Sequence, residues 1–102
     1  ALILNKFRNA GQTCVCANRI YAQRGIYDEF VELLGKRISD LHVGPGLDPY
    51  SKIGPLINDA AIEKVNSHVK DAVEKGARCV TGGYVMENLG PRFYKPTLLR
   101  DV

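Results

Sequence analysis

Two apolar stripes at helical spacing, each bounded by turn-forming residues, limit this chain to folds in which amphipathic helices lie against another layer. From Ile26 the apolar residues recur at Phe30, Leu33, Leu34, Ile38 and Leu41, with Asp28 and Glu29 early and Lys36 and Arg37 late. That period and that charge order, acidic residues at the positive end of the helix dipole and basic ones at its negative end, predict a helix. A second stripe, Ile62, Val65, Val69, Ala72 and Val73, follows Asn58 and Asp59 and stops at Gly76. Either Asn58 or Asp59 supplies a side-chain oxygen for the unpaired N–H groups of the first turn. Between the stripes, Val43 to Lys52 carries Gly44, Pro45, Gly46, Pro49 and Ser51, and the turn-rich character continues through Gly54-Pro55, which predicts an exposed loop.

The remaining segments supply the other layer. Residues 1 to 9 are apolar until Lys6, Arg8 and Asn9, and Asn9-Ala10-Gly11 marks the stop of a short helix. Alternation around 19 to 23 predicts a strand that Gly25 ends, Ala77 to Thr81 reads as a short buried strand, and Gly82-Gly83 as a turn. Tyr94 to Arg100 is a last extended segment, weakened by Pro96. The order α-β-α-α-β-β fits one flank of an α/β fold. The 102 residues begin at Ala1-Leu2-Ile3-Leu4 and end just past a strand, so we expect an excerpt of a longer chain that packs against the rest of it.

Charge and cysteine usage narrow the function classes. Fourteen basic and eleven acidic residues give a net charge of +3 with no dense basic patch beyond Lys36-Arg37, which argues against a nucleic-acid partner. No apolar run approaches the ~20 residues that cross a bilayer, so no membrane partner is expected. Three cysteines, two of them in Cys14-Val15-Cys16, build no disulfide framework and point to a reducing compartment, cytosol or organelle matrix.

Reactive groups concentrate in Gly11-Gln12-Thr13-Cys14-Val15-Cys16. A thiol on a glycine-led loop, flanked by Arg8 and Arg19, has the access and the positive surroundings that a nucleophile needs, and its own backbone N–H can help hold an oxyanion. The competing reading makes both cysteines small buried hydrophobes; from the residues alone the two stay open. Cys79, within a strand, is read as buried. Zinc is disfavoured because His42, His68 and Cys79 stand far from the Cys-x-Cys pair and from one another, and both histidines read as solvated. Gly44-Pro45-Gly46 and Gly82-Gly83 lack the following helix of a dinucleotide fingerprint and are turns. No general base is identifiable.

The run Phe7-Arg8-Asn9-Ala10-Gly11-Gln12-Thr13-Cys14-Val15-Cys16-Ala17-Asn18-Arg19 resembles the nucleophile segment of the aldehyde dehydrogenase superfamily, with Gly-Gln-x-Cys at its core. The likeness continues through Ile53-Gly54-Pro55-Leu56-Ile57, Lys75-Gly76-Ala77 and Pro96-Thr97-Leu98, and is strongest to the succinate-semialdehyde branch. The resemblance implies part of a catalytic domain over 1–102, of α/β class with helices on a mainly parallel sheet. It implies Cys14 as catalytic thiol, Arg8 as the cation that binds a distant substrate carboxylate, and Cys16 as a second, redox-regulatory thiol. Lys64 falls near a position that approaches the cofactor, although a lysine on the polar face of a helix is otherwise simply solvated. The implied cofactor is NAD or NADP, bound mostly by residues outside these 102. The implied assembly is a homotetramer or homodimer, in the mitochondrial matrix of a eukaryote or otherwise the cytoplasm. If the loop runs extended, Cys14 and Cys16 point to one side, within reach of a disulfide.

Overall fold

The structure, a computed structural model, describes residues 1–102 and contains helices α1 (Leu2–Lys6), α2 (Tyr27–Ser39) and α3 (Asp59–Glu74) and strands β1 (Arg78–Thr81) and β2 (Leu98–Arg100). β1 and β2 pair antiparallel, with Arg78 opposite Arg100 and Cys79 opposite Leu99, and an irregularity before Thr81 meets Leu98. A parallel bridge joins Val43 to Ile53, and an antiparallel one joins Val85 to Tyr94. The α/β class expected from the sequence is present, with the ladder inside the chain antiparallel.

α2 is where the stripe argument meets packing. Its buried residues are Val31, Gly35 and Ile38, which share one face at the i, i+4, i+7 spacing. Gly35 allows the closest approach: a Cβ there would stand 2.9 Å from Val80 Cγ1 of β1, so a methyl at this position pushes helix and sheet apart. Of the predicted stripe only Ile38 lies on that buried face; Phe30, Leu33 and Leu34 instead line a groove of about 950 Å³ facing Leu2, Ile3 and Phe7 of the first segment. Leu33 is accordingly 56% exposed. The predicted stripe therefore faces mostly the open groove, and the face packed on the sheet is the adjacent one, through Val31 and Gly35, which the spacing did not single out.

α3 begins as its sequence directs. The Asn58 side chain accepts a hydrogen bond from the Ala61 N–H at 2.9 Å. Its end is a paired cap on a left-handed glycine: Gly76, at φ 106°, donates to Val73 O at 3.0 Å, and Ala77 donates to Ala72 O at 2.9 Å. No residue of α3 is buried; its inner face is half-covered through Ile62, Val65 and Val69. The Tyr94 hydroxyl, from the lead-in to β2, donates to Asn66 Oδ1 at 3.2 Å and ties the helix down. Burial and the nearby Cys79 push that phenol above its ordinary pKa.

The core consists of Val31, Ile38, Val43, Ile53, Ala77 and Tyr94. Val43 and Ile53 belong to the segment expected to be an exposed loop. They are buried because the Val43–Ile53 bridge, with Gly44 N donating to Ile53 O at 3.0 Å, folds the two ends of that segment inward. Two further expectations are corrected. Residues 19–23 form no strand; the alternation is there, but no segment of this chain lies alongside to complete the ladder, and Tyr21 is 88% exposed. Cys79 and its strand, read as buried, are largely exposed, β1 having no other strand beside it than β2.

Beside β2, Arg100 donates to Asp28 Oδ1 at 2.7 Å and sits 5.2 Å from the centre of the Tyr27 ring, linking the start of α2 to the sheet. The hydrogen bond to Asp28 raises the Arg100 pKa, while Arg78 holds the Asp101 carboxyl below its ordinary value.

Candidate functional site

The loop that carries the thiols is shaped by a left-handed turn. After α1 closes with Phe7 N donating to Ile3 O, Asn9 (φ 52°), Ala10 (φ 56°) and Gly11 (φ 80°) follow one another on the left-handed side of backbone space. Gly11 takes this without penalty and Asn9 at little cost, whereas the Cβ of Ala10 opposes it by about 1–2 kcal/mol. We therefore expect Ala10→Gly to raise the unfolding free energy by about 0.5–1 kcal/mol, once the greater freedom of glycine in the unfolded chain is allowed for, and so to raise the urea midpoint. A lower midpoint would show that packing of the Ala10 methyl against Phe7 and Val65, which share a cavity of about 140 Å³ with it, outweighs the strain.

Side-chain hydrogen bonds then hold the loop in place. Asn9 Nδ2 donates to Gln12 O at 3.2 Å, and Gln12 Nε2 returns a bond to Asn9 O at 3.1 Å. The Gln12 Oε1 accepts from the Ile57 N–H at 2.9 Å, fastening the loop to a segment 45 residues away. Thr13 Oγ1 donates to Arg8 O at 3.1 Å. Further on, Asn5 Oδ1 accepts from Ala17 N at 2.7 Å, while Lys6 Nζ donates to Ala17 O at 3.1 Å and lies 3.6 Å from Cys16 Sγ.

Cys14 sits on the span between these fastenings. Its side chain is exposed and unbonded, and its backbone N–H has no acceptor in the chain. An accessible thiol with a free N–H beside it is the arrangement that nucleophilic attack on a carbonyl and capture of the resulting oxyanion require. The alternative, a small buried hydrophobe, does not describe Cys14.

The other predicted residues fall in three places. Arg8 is exposed, borders the groove between α1 and α2, and reaches the thiol loop through its backbone carbonyl. Cys16 is half-buried beside Lys6. Residues 14–16 bend, so the extended alternation invoked to place both thiols on one side does not describe them. Lys64 is exposed on α3, with no carboxylate partner and no hydrogen bond to the thiol loop; its neighbour Val65 is the residue that faces Phe7 and Ala10. No three His, Cys, Asp or Glu side chains group as for a metal, and no helix is long and apolar enough to cross a membrane. Sequence reasoning missed Asn5, Lys6 and the Gln12–Ile57 tie. A polar pair closing an otherwise apolar helix was the one visible signal for the first two.

Residues 1–102 match the aldehyde dehydrogenase family, and the chain belongs to it. Over 100 residues it is 56% identical to the NADP(+) succinate-semialdehyde dehydrogenase of Escherichia coli K12, covering 98% of this chain and 20% of that protein. It is 51% identical over 100 residues to the 3-sulfolactaldehyde dehydrogenase of Pseudomonas putida, with the same coverage, 98% and 20%. Among solved structures, the succinate-semialdehyde dehydrogenase of Burkholderia pseudomallei superposes with a TM-score of 0.92 at 46% identity, over 99% of this chain and 21% of that one. The chain thus spans about a fifth of the length of the relatives it matches.

Proposed function

We propose that residues 1–102 are the nucleophile-bearing part of a catalytic domain, in a longer enzyme that oxidises succinate semialdehyde to succinate with NAD or NADP. The observation that carries this reading is Cys14: an exposed thiol with a free backbone N–H, on a loop whose neighbours are all fastened. In the proposed reaction Cys14 Sγ adds to the aldehyde carbon, and the Cys14 N–H donates to the oxygen that gains charge. Oxidation leaves a thioester on Cys14, which water cleaves to release the acid and restore the thiol. The cofactor, when bound, accepts the hydrogen and electron pair from the aldehyde carbon. Neither Gly44-Pro45-Gly46 nor Gly82-Gly83 leads into a helix N-terminus, so they do not form a pyrophosphate cradle. The dinucleotide is accordingly assigned mostly to residues beyond these 102, with Lys64 as the candidate contact from within. Assembly as a homodimer or homotetramer in a reducing compartment belongs to the same reading.

Arg8 is assigned to the far end of the substrate, where a guanidinium matches a planar carboxylate through paired charge-assisted bonds. The matched relatives support an anionic tail: the E. coli protein is named for a substrate ending in a carboxylate, and the P. putida protein for one ending in a sulfonate. That second name favours one alternative, the same chemistry on a different anionic aldehyde. Cys16 is kept as a redox-regulatory thiol. The test is an assay of the enzyme carrying this chain, following NADH or NADPH formation with succinate semialdehyde, 3-sulfolactaldehyde and an uncharged aldehyde of similar length. The highest kcat/KM is expected with succinate semialdehyde; a preference for the uncharged aldehyde overturns the substrate assignment.

A further inference from the structure

We propose that Lys6 and Cys16 form a covalent modification site, in which peroxide joins Cys16 Sγ to Lys6 Nζ as a sulfenamide that thiols reverse. The inference goes beyond the catalytic reading, since it uses neither Cys14 nor turnover. Of the three thiols, Cys16 alone has an amine within contact, Lys6 Nζ at 3.6 Å. The amine is not there to meet a carboxylate. Lys36, Lys70 and Lys75 each pair with an acidic side chain one helical turn away, whereas no carboxylate lies within 4.0 Å of Lys6. Its polar partners are the Ala17 carbonyl and the Cys16 sulfur, and both contacts are partly buried.

The approach of the two groups is built into the backbone. Asn5 Oδ1 takes the N–H of Ala17 and Lys6 Nζ takes its C=O, so two successive residues of α1 grip both polar groups of the residue next to Cys16. Sulfur and nitrogen are therefore held together by a fixed frame, whereas two free surface side chains would meet only in passing. Cys16 is half-buried, which leaves its sulfur open to a small oxidant.

The chemistry balances with one peroxide. The Cys16 thiol and H2O2 give the sulfenic acid, Sγ–OH, and one water; sulfur gives up two electrons and the O–O bond takes them. Lys6 Nζ, after its ammonium loses a proton to solvent, attacks the sulfur. The S–N bond forms, the S–O bond breaks, and hydroxide leaves with a second amine proton as water. Condensation of a sulfenic acid with a nearby nitrogen is established cysteine chemistry, and it protects the sulfur from the irreversible sulfinic state. Dithiothreitol returns the thiol and the amine and is itself oxidised to its cyclic disulfide. In the linked form Lys6 loses its charge, α1 is locked to the loop at Cys16, and Cys16 is withdrawn from any disulfide with Cys14.

The test uses the enzyme carrying this chain, in parent and Cys14→Ser forms, the latter removing the competing disulfide. Each is treated with equimolar hydrogen peroxide, the remaining thiols are alkylated, and tryptic peptides are weighed. Linkage blocks cleavage after Lys6 and yields a species in which the segment ending at Arg8 is joined to Asn9–Arg19, lighter by two hydrogens than the unlinked sum. We expect that species in both forms, its loss on dithiothreitol treatment, and its absence from Cys16→Ser and from Lys6→Arg, which keeps the charge. Cys16 recovered in Cys14→Ser as sulfinic acid or as an alkylated thiol, with cleavage after Lys6 intact, overturns the proposal. So does a link that retains an oxygen. Loss of aldehyde oxidation in Cys14→Ser bears on the catalytic reading alone.

Discussion

Cys14→Ala is expected to abolish aldehyde oxidation by the enzyme carrying this chain. The cost is on the order of 10⁶-fold in kcat, the scale found when a covalent nucleophile is removed from an otherwise intact site. Neither of the other two thiols in these 102 residues is placed to take over: Cys16 is engaged by Lys6, and Cys79 lies on the β1–β2 ladder with its sulfur against the Thr81 and Gly82 carbonyls. Because the Cys14 side chain is exposed and free of any disulfide, its alanine variant should unfold close to the parental midpoint. Cys79→Ala supplies the contrast. As a substitution at an exposed position it should keep parental activity and change stability by no more than ~0.5 kcal/mol. Initial rates of NADH or NADPH formation together with urea titrations read both variants, and substantial turnover in Cys14→Ala would falsify the assignment.

The second large effect is expected at Arg8, and it is selective. Arg8→Ala should lower kcat/KM for succinate semialdehyde by roughly tenfold to a hundredfold, corresponding to the ~1.5–3 kcal/mol of a hydrogen bond to a charged group. For an uncharged aldehyde of similar length the value should hardly change. The loop offers a way to separate recognition from architecture, because Thr13 binds the carbonyl of Arg8, which any residue at position 8 retains. Equal losses on the two aldehydes would mean that the side chain supports the fold rather than the substrate.

What the sequence disclosed depended on whether the interaction was local. The cap of α3 by Asn58 and its close at Gly76 are encoded within a few residues, and both are realised. The α2 stripe was legible as apolar, but it faces mostly the open groove, and the adjacent face that packs on β1 through Val31 and Gly35 was not foreseen. Periodicity states that a side is apolar; it does not state how many neighbours that side has. The strand expected at 19–23 failed for a related reason, since pairing needs a second segment that no window of the sequence reveals. At the site, the access of Cys14 was suggested by its glycine-led loop, and the thiol is exposed, while the frame around Cys16 was not foreseen. Lys6 and Cys16 are ten residues apart, and they meet because the left-handed turn at Asn9–Gly11 doubles the chain back on itself. Ala10 in that turn contradicts ordinary alanine preference, and no propensity argument would place it there.

The tie between Gln12 and Ile57 also bears on which positions are free to drift. Gln12 engages an amide hydrogen and not a side chain, and the Ile57 side chain itself is 74% exposed. For this tie, position 57 therefore needs only an N–H, which every residue except proline provides. The side chain at position 57 takes no part in fastening the thiol loop from a distance of 45 residues, so a substitution there, proline excepted, leaves this hydrogen bond in place. The whole demand falls on position 12, whose amide must accept from Ile57 with one end and donate to Asn9 with the other. One partner is thus fixed and the other nearly unconstrained, although they share a single hydrogen bond.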